Sequence, residues 1–114
     1  MRQLKMDLMI KNYLDRARNE LLAAEILKKS SEERDTKEHL SIKETTTFYS
    51  PVISHSYYAI FYSAKALLLT KKIKTSSPDV HKKTFDMFKK NFVDTSILDN
   101  KLLEIYNEAV VRAD

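Results

Sequence analysis

Residues 51–72 read PVISHSYYAIFYSAKALLLTKK and form the most apolar stretch of the sequence. Apolar side chains recur there at three- and four-residue steps, which is the period of an α-helix. A second face carries other large side chains at the same spacing, and a helix that is apolar on more than one side lies in the centre of a domain or at an interface. The predicted buried stripe is Ile53, Tyr57, Ile60, Phe61, Ala64, Leu67 and Leu68, and the second face is His55, Tyr58, Tyr62, Lys65 and Leu69.

Three further helices are predicted around this central one. The first covers residues 4–28 and the next 78–92. The last starts near Ser96, whose spacing to Asp99 suits a helix cap, and runs to the end. Serine precedes both prolines, and because serine caps a helix and proline fits its first position, we expect helix starts at Pro51 and Pro78. The stripe predicted for the first helix is Ile10, Leu14, Ala17, Leu21, Ala24 and Leu27, and the third helix presents Phe85, Phe88 and Phe92.

The segment between the first two helices is charged and poor in apolar residues. Residues 28–47 read KKSSEERDTKEHLSIKETTT, and such a segment buries too little surface to offset the entropy lost on ordering. We therefore expect a mobile connection over residues 29–47. A short charged helix is the alternative, because Ser30 and Glu33 have the spacing of a capping box.

The chain of 114 residues contains no glycine and no cysteine. Without glycine there is no phosphate-binding loop, dinucleotide-binding fingerprint or nucleophile elbow, and β-sandwiches and barrels are disfavoured. Without cysteine there are no disulfides, thiolate zinc sites or thiol nucleophiles, which is compatible with a cytoplasmic location. The prediction is a single all-α domain over residues 1–114, an up-and-down four-helix bundle.

Charge and hydropathy narrow the class of protein further. No run approaches the roughly 18 apolar residues of a membrane span, and the first 20 residues lack the features of a signal peptide, so we expect a soluble protein. The net charge is +4, from 20 basic and 16 acidic residues. This mild excess of positive charge permits contact with nucleic acid without requiring it.

Three histidines are candidates for metal ligands or catalytic groups. His39, His55 and His81 have no histidine or carboxylate partner at the spacing of a known ligand set, so no metal site is predicted. His81 is followed by Lys82 near a helix N-terminus, where backbone N–H groups attract anions. A phosphate contact there is one interpretation, and a solvated basic turn is the other.

Aromatic residues cluster in the central helix, where Tyr57, Tyr58, Phe61 and Tyr62 could stack on nucleic-acid bases. At helical spacing such residues more often belong to a core or an interface. Tyr58 and Tyr62 lie off the main stripe, so they and Lys65 are candidates for a cleft or a dimer contact. No catalytic triad and no pair of carboxylates can be defended from spacing.

Three blocks of the sequence together resemble the HEPN domain of small stand-alone prokaryotic proteins. They are YYAIFYSAKALLL at residues 57–69, HKKTFDMFKKNFV at 81–93 and VVRAD at 110–114. The resemblance implies a helical bundle that commonly dimerises and that associates with nucleotides or RNA. It also implies a minimal nucleotidyltransferase partner in a toxin–antitoxin-like pair, and no cofactor.

Active members of the family are metal-independent ribonucleases with an arginine and a histidine late in the chain, and this sequence departs from that pattern. Arg112 is the one arginine of the last helix, no histidine follows it before Asp114, and the family's last helix is missing. The resemblance makes Arg112 a candidate phosphate-facing residue and aligns Asp114 with the family's aspartate. His81 matches by position alone.

Three hypotheses follow for the function. The first is a dimeric binding module without catalysis that pairs with a nucleotidyltransferase or binds nucleotide. The second is a ribonuclease whose histidine lies beyond residue 114 or is replaced. The third is a bundle that serves only for dimerisation.

Overall fold

The structure, a computed structural model, describes residues 1–114, and its only regular elements are helices. The four predicted helices and the all-α bundle are confirmed. A fifth, short helix lies within the predicted connection, and no helix combines the length and apolar character needed to cross a membrane. The elements are α1 (Arg2–Glu32), α2 (Arg34–His39), α3 (Tyr49–Thr70), α4 (Val80–Phe88), a π-helical turn (Lys89–Val93) and α5 (Asn100–Ala113).

Helix α3 is central, as its two apolar faces predicted. It packs along α1 and also contacts α4 and α5. The α1–α3 pair is antiparallel, because Tyr13 lies beside Tyr62 and Glu20 lies beside His55. The buried core forms on the side of α3 that α4 and α5 cover.

The buried core joins α3 to the second half of the chain. Phe88 stacks on Phe92 with 5.8 Å between ring centroids, and the Phe85 ring meets the Tyr106 ring edge-on at 4.9 Å. These aromatic pairs add to the free energy gained by burying their large apolar surfaces. The buried cluster consists of Tyr57, Phe61, Ala64, Leu68, Phe88, Phe92 and Tyr106.

The stripe predicted for α1 is only partly buried. Ala17 and Ala24 are buried against α3, which confirms the helix and its contact side, but Leu14 and Leu21 are 44% and 50% exposed. The contact face is rotated towards Tyr13 and Glu20, which lie beside Tyr62 and His55 of α3. Leu21 instead lines an open apolar groove of about 420 Å³ between α1 and α5.

The connection expected at residues 29–47 is shorter than predicted. Helix α1 continues to Glu32, and α2 follows immediately, so the short charged helix is present but begins after Glu33 and not at Ser30. The Ser31 hydroxyl donates to Leu27 O and accepts the N–H of Phe48, both at 2.7 Å. This contact fixes the end of α1 to the start of α3, which the charge pattern did not reveal.

Three predicted helix starts are displaced. Helix α3 begins at Tyr49, so Pro51 is its third residue, which is tolerated because the first four N–H groups of a helix have no partner within it. Helix α4 begins at Val80, because Asp79 adopts a left-handed conformation that separates Pro78 from the helix. Helix α5 begins at Asn100 and not near Ser96, because Asp99 rather than Ser96 caps it and accepts the N–H of Lys101 at 2.8 Å.

Candidate functional site

His81, near the start of α4, is held against α3 by two contacts. Its Nδ1 lies 2.6 Å from the hydroxyl oxygen of Tyr57, and its ring stacks on Phe61 with 4.3 Å between centroids. Tyr57 and Phe61 are both buried, whereas His81 is exposed to solvent. The two core residues therefore fix the orientation of an imidazole that solvent can reach.

The protonation state of Tyr57 determines the direction of its hydrogen bond with His81. Burial raises the pKa of Tyr57 to about 12, and the neighbouring Tyr58 hydroxyl and Asp114 carboxylate act in the same direction. Tyr57 is therefore protonated at neutral pH and can donate its hydroxyl proton to Nδ1 of His81. In a neutral imidazole the remaining proton then lies on Nε2, which becomes a hydrogen-bond donor.

A cleft of about 380 Å³ opens beside this pair. It brings together three residues that the sequence singled out separately, namely Tyr58, His81 and Asp114, because the end of α5 crosses α3 near the start of α4. No lysine or arginine lines it. The lining residues are Ser54, Tyr57, Tyr58, His81, Val110, Ala113 and Asp114.

A row of aromatic rings continues from this cleft along α3 to α1. Tyr58 stacks on Tyr62, and Tyr62 stacks on Tyr13 of α1, each with 6.0 Å between centroids. The Arg16 guanidinium lies 4.6 Å from the Tyr62 centroid, and Lys65 Nζ lies 4.9 Å from that of Tyr13. We call the set Tyr13, Arg16, Tyr58, Tyr62, Lys65 and His81 the aromatic patch.

The two cations of the aromatic patch have no carboxylate partner. Neither Arg16 nor Lys65 forms an ion pair, while Lys11, Arg18, Lys28, Arg34, Lys82, Lys89 and Arg112 all do. A cation over an aromatic ring keeps its full positive charge. The patch therefore offers ring surfaces and unneutralised positive charge side by side.

Sequence reasoning missed part of this patch. Tyr58, Tyr62, Lys65 and His81 were candidates, but Tyr13 and Arg16 were not, because only the α1–α3 register places them against Tyr62. Their spacing of three residues puts them on one side of α1, which is the signal that was present in the sequence.

The other predicted site residues lie elsewhere. Arg112 pairs with Glu108 at 2.6 Å and lines a different groove, so it does not meet His81. His55 Nδ1 lies 2.5 Å from a Glu20 carboxylate oxygen at the α1–α3 contact. Lys82 pairs with Asp86 at 2.7 Å, and this hydrogen bond raises the pKa of Lys82.

No three histidine or carboxylate side chains lie close enough together to hold a metal ion. The groups that the described site presents are those of its own side chains. These are a positioned imidazole, phenol groups and two cations.

Comparison with known proteins identifies the family. Residues 10–110 match the family model described as "HEPN domain". "Putative toxin MJ0142" of Methanocaldococcus jannaschii is 39% identical over 84 residues, which are 74% of this chain and 53% of that protein. "Putative toxin MJ0605" of the same organism is 37% identical over 65 residues, which are 57% of this chain and 43% of that protein.

The chain thus spans about half the length of the curated relatives that it matches. No solved structure matches it. The resemblance read from the three sequence blocks is confirmed by the extent of the family match, and the chain belongs to the HEPN domain family.

Proposed function

We propose that this chain is a nucleotide- or RNA-binding module that acts as a homodimer beside a minimal nucleotidyltransferase, in a toxin–antitoxin-like pair. The aromatic patch carries the proposal. The names of the two relatives agree with a toxin-like role. The proposed ligand is single-stranded RNA, because its unstacked bases can pack on aromatic side chains while its phosphates meet cations.

The geometry of the patch suits this ligand. Tyr58 is 37% exposed and begins a row of rings that continues through Tyr62 to Tyr13. Arg16 and Lys65 flank the far end of the row and His81 the near end. Bases would stack at Tyr58 and His81, and the sugar–phosphate backbone would run towards Arg16 and Lys65.

RNA binding is tested by the fluorescence anisotropy of a labelled single-stranded RNA of mixed sequence. Tyr58→Leu removes a stacking surface worth about 1–3 kcal/mol per base, so we expect the Kd to rise roughly fivefold or more. Arg16→Ala should weaken binding and lower the slope of log affinity against log salt by about 0.7, the contribution of one phosphate contact.

Two arginines provide matched controls. Arg18 lies two residues from Arg16 on the same helix but pairs with Asp15, and Arg112 pairs with Glu108. Arg18→Ala and Arg112→Ala should therefore leave the Kd almost unchanged. Equal losses for Arg16→Ala and Arg18→Ala would show non-specific charge attraction, and no binding at low ionic strength would overturn the proposal.

The same samples test the ribonuclease alternative. His81 lies in a cleft that no arginine lines, so the arrangement lacks the arginine expected to stabilise charge on a scissile phosphate. We expect the RNA to remain intact. Cleavage that is lost in both His81→Ala and Tyr57→Phe would replace the binding module with an enzyme.

The partner is tested by co-expression. We expect a minimal nucleotidyltransferase encoded beside this chain to co-purify with it. The Tyr58→Leu variant, which changes the RNA-binding surface, should leave that complex intact. If such a neighbour fails to co-purify, the pairing is wrong while the RNA measurements stand by themselves.

A further inference from the structure

The cleft beside His81 offers a hydrogen-bond donor from α4 and acceptors from α5. The donor is Nε2 of His81, because its Nδ1 accepts the hydroxyl proton of Tyr57. One acceptor is the carboxylate of Asp114, which lines the cleft and takes part in none of the chain's ion pairs. The last turn of α5 adds carbonyl groups that have no partner within the helix. The cleft therefore presents hydrogen-bonding groups of both kinds.

The charges around the cleft disfavour a phosphate group. No lysine or arginine lines it, and both the Asp114 carboxylate and the negative end of the α5 dipole repel anions. A cation is also poorly matched, because it would face the N–H of His81. The cleft therefore suits an uncharged ligand that carries N–H donors on one part of its edge and an acceptor on another.

An aromatic wall gives the cleft a place for one flat ligand. Tyr58 is 37% exposed, and its ring lies at 74° to the His81 ring with 5.9 Å between centroids. A flat molecule stacked on Tyr58 would thus point its edge towards the imidazole. The cleft volume of about 380 Å³ is near the lower end of the range of about 300–1,000 Å³ for ligand pockets, so it has room for a single base and not for a strand.

Guanine is the RNA base whose edge matches these groups. Its pairing edge carries two adjacent N–H donors, on N1 and N2, next to the acceptor O6. A carboxylate only accepts hydrogen bonds, so both of its oxygens can be used by this pair of donors. Uracil has one N–H between two carbonyl oxygens, and adenine and cytosine have an acceptor nitrogen beside their amino group. Each of these three bases would therefore place an acceptor against Asp114.

We propose that the cleft binds one guanine base of the RNA. The base stacks on Tyr58, Asp114 accepts from its N1–H and N2–H groups, and Nε2 of His81 donates to O6. The phosphates that follow this base run towards Arg16 and Lys65, which lie beyond the cleft. This inference rests on the RNA binding proposed above and adds a base preference to it.

The base preference is tested by fluorescence anisotropy with two labelled strands, an oligouridine and the same strand with one central guanosine. We expect the guanosine to lower the Kd about tenfold or more, the discrimination that one well-formed pair of hydrogen bonds provides. Inosine in place of guanosine lacks the N2 amino group and should lose most of this gain. The 7-deazaguanosine strand is the matched control, because it keeps the whole pairing edge and should bind like guanosine.

The assignment to the cleft is tested by Asp114→Asn, which keeps the shape of the side chain but replaces one acceptor oxygen with a donor. The ratio of the oligouridine Kd to the guanosine-strand Kd should fall towards one. This ratio cancels the general gain in RNA affinity from removing a negative charge. Glu104→Gln is the control, because it removes the same charge from an exposed position of α5 outside the cleft and should keep the ratio. Circular dichroism should be unchanged for both variants, since both side chains are exposed.

The outcomes separate this inference from the proposed function. Binding of both strands with equal Kd overturns the guanine site and leaves the proposed RNA binding intact. A guanine preference that Asp114→Asn retains in full overturns the assignment to the cleft. If neither strand binds at low ionic strength, the proposed function and the guanine site are both wrong.

Discussion

The hydroxyl oxygen of Tyr57 lies 2.6 Å from Nδ1 of His81, across the contact between α3 and α4. Tyr57 is buried in the core and His81 is exposed, so this bond connects the packing of the bundle to the one histidine that lines the candidate cleft. The histidine's position thus depends on the core.

Removing that hydroxyl should destabilise the fold modestly. We expect Tyr57→Phe to lower the free energy of unfolding by about 0.5–1.5 kcal/mol, the net contribution of one hydrogen bond. Tyr49→Phe is the control, because the Tyr49 hydroxyl bonds Glu32 at an exposed site and should contribute less. Urea denaturation measures both, and equal effects would contradict a special role for the bond to His81.

Stability should fall in alkali because of Tyr57. Its pKa is about 12 in the folded chain and near 10 when unfolded. Between these values the folded state holds the proton and the unfolded state does not, so the free energy of unfolding decreases as pH rises. Urea curves from pH 9 to pH 12 should decline less steeply for Tyr57→Phe than for the wild type. Parallel declines would contradict the raised pKa.

A buried lysine fastens the connection after α2. Lys37 is 4% exposed, and its ammonium donates to Glu44 O at 2.8 Å and to Thr46 O. Lys37→Met would leave both carbonyls without this donor, and we expect a loss of about 1–3 kcal/mol in urea denaturation. Lys43→Met, at an exposed neighbouring position, should change little. If Lys37→Met leaves the free energy of unfolding unchanged, water satisfies the two loop carbonyls in its place.

Glycine should stabilise the end of α3. Lys72 has φ 61°, and the N–H groups of Lys72 and Ile73 donate to Leu69 O and Leu68 O, which is the pattern of a helix end that favours glycine. Relief of the left-handed strain is worth about 1 kcal/mol, less the added entropy of the unfolded chain, so Lys72→Gly should raise the melting temperature. Lys74→Gly, in the following loop, should lower it or leave it unchanged. A lower melting temperature for Lys72→Gly would contradict backbone strain at this residue.

Most of the fold could be predicted from hydrophobic period and helix caps. The stripe from Tyr57 to Leu68 identified the central helix, because this signal is local. The cap expected at Ser96 was wrong, since Asp99 caps α5 instead. The first turns of α3 and α4 could not be placed from proline, because proline is tolerated at several positions of a first turn. Helix α1 continues to Glu32, where Ser31 accepts the N–H of Phe48, and the sequence carries no local signal for such a long-range contact.

Less of the candidate site could be predicted. Tyr58, Tyr62, Lys65 and His81 carried a signal in their residue types and spacing, and the structure places them along one surface. Arg112 carried a signal from the family resemblance, but its guanidinium pairs with Glu108 away from the cleft. Residue type indicates the available chemistry, whereas the direction of a side chain depends on its neighbours.

The sequence by itself determined that the chain is helical, that α3 is central and that the family is HEPN. These conclusions rest on composition, period and local motifs. Only the tertiary structure decided that Tyr13 and Arg16 join Tyr62 and that Tyr57 holds His81. The physical reason is register: the pairing of two helices is set by packing along their whole length, and no single segment encodes it.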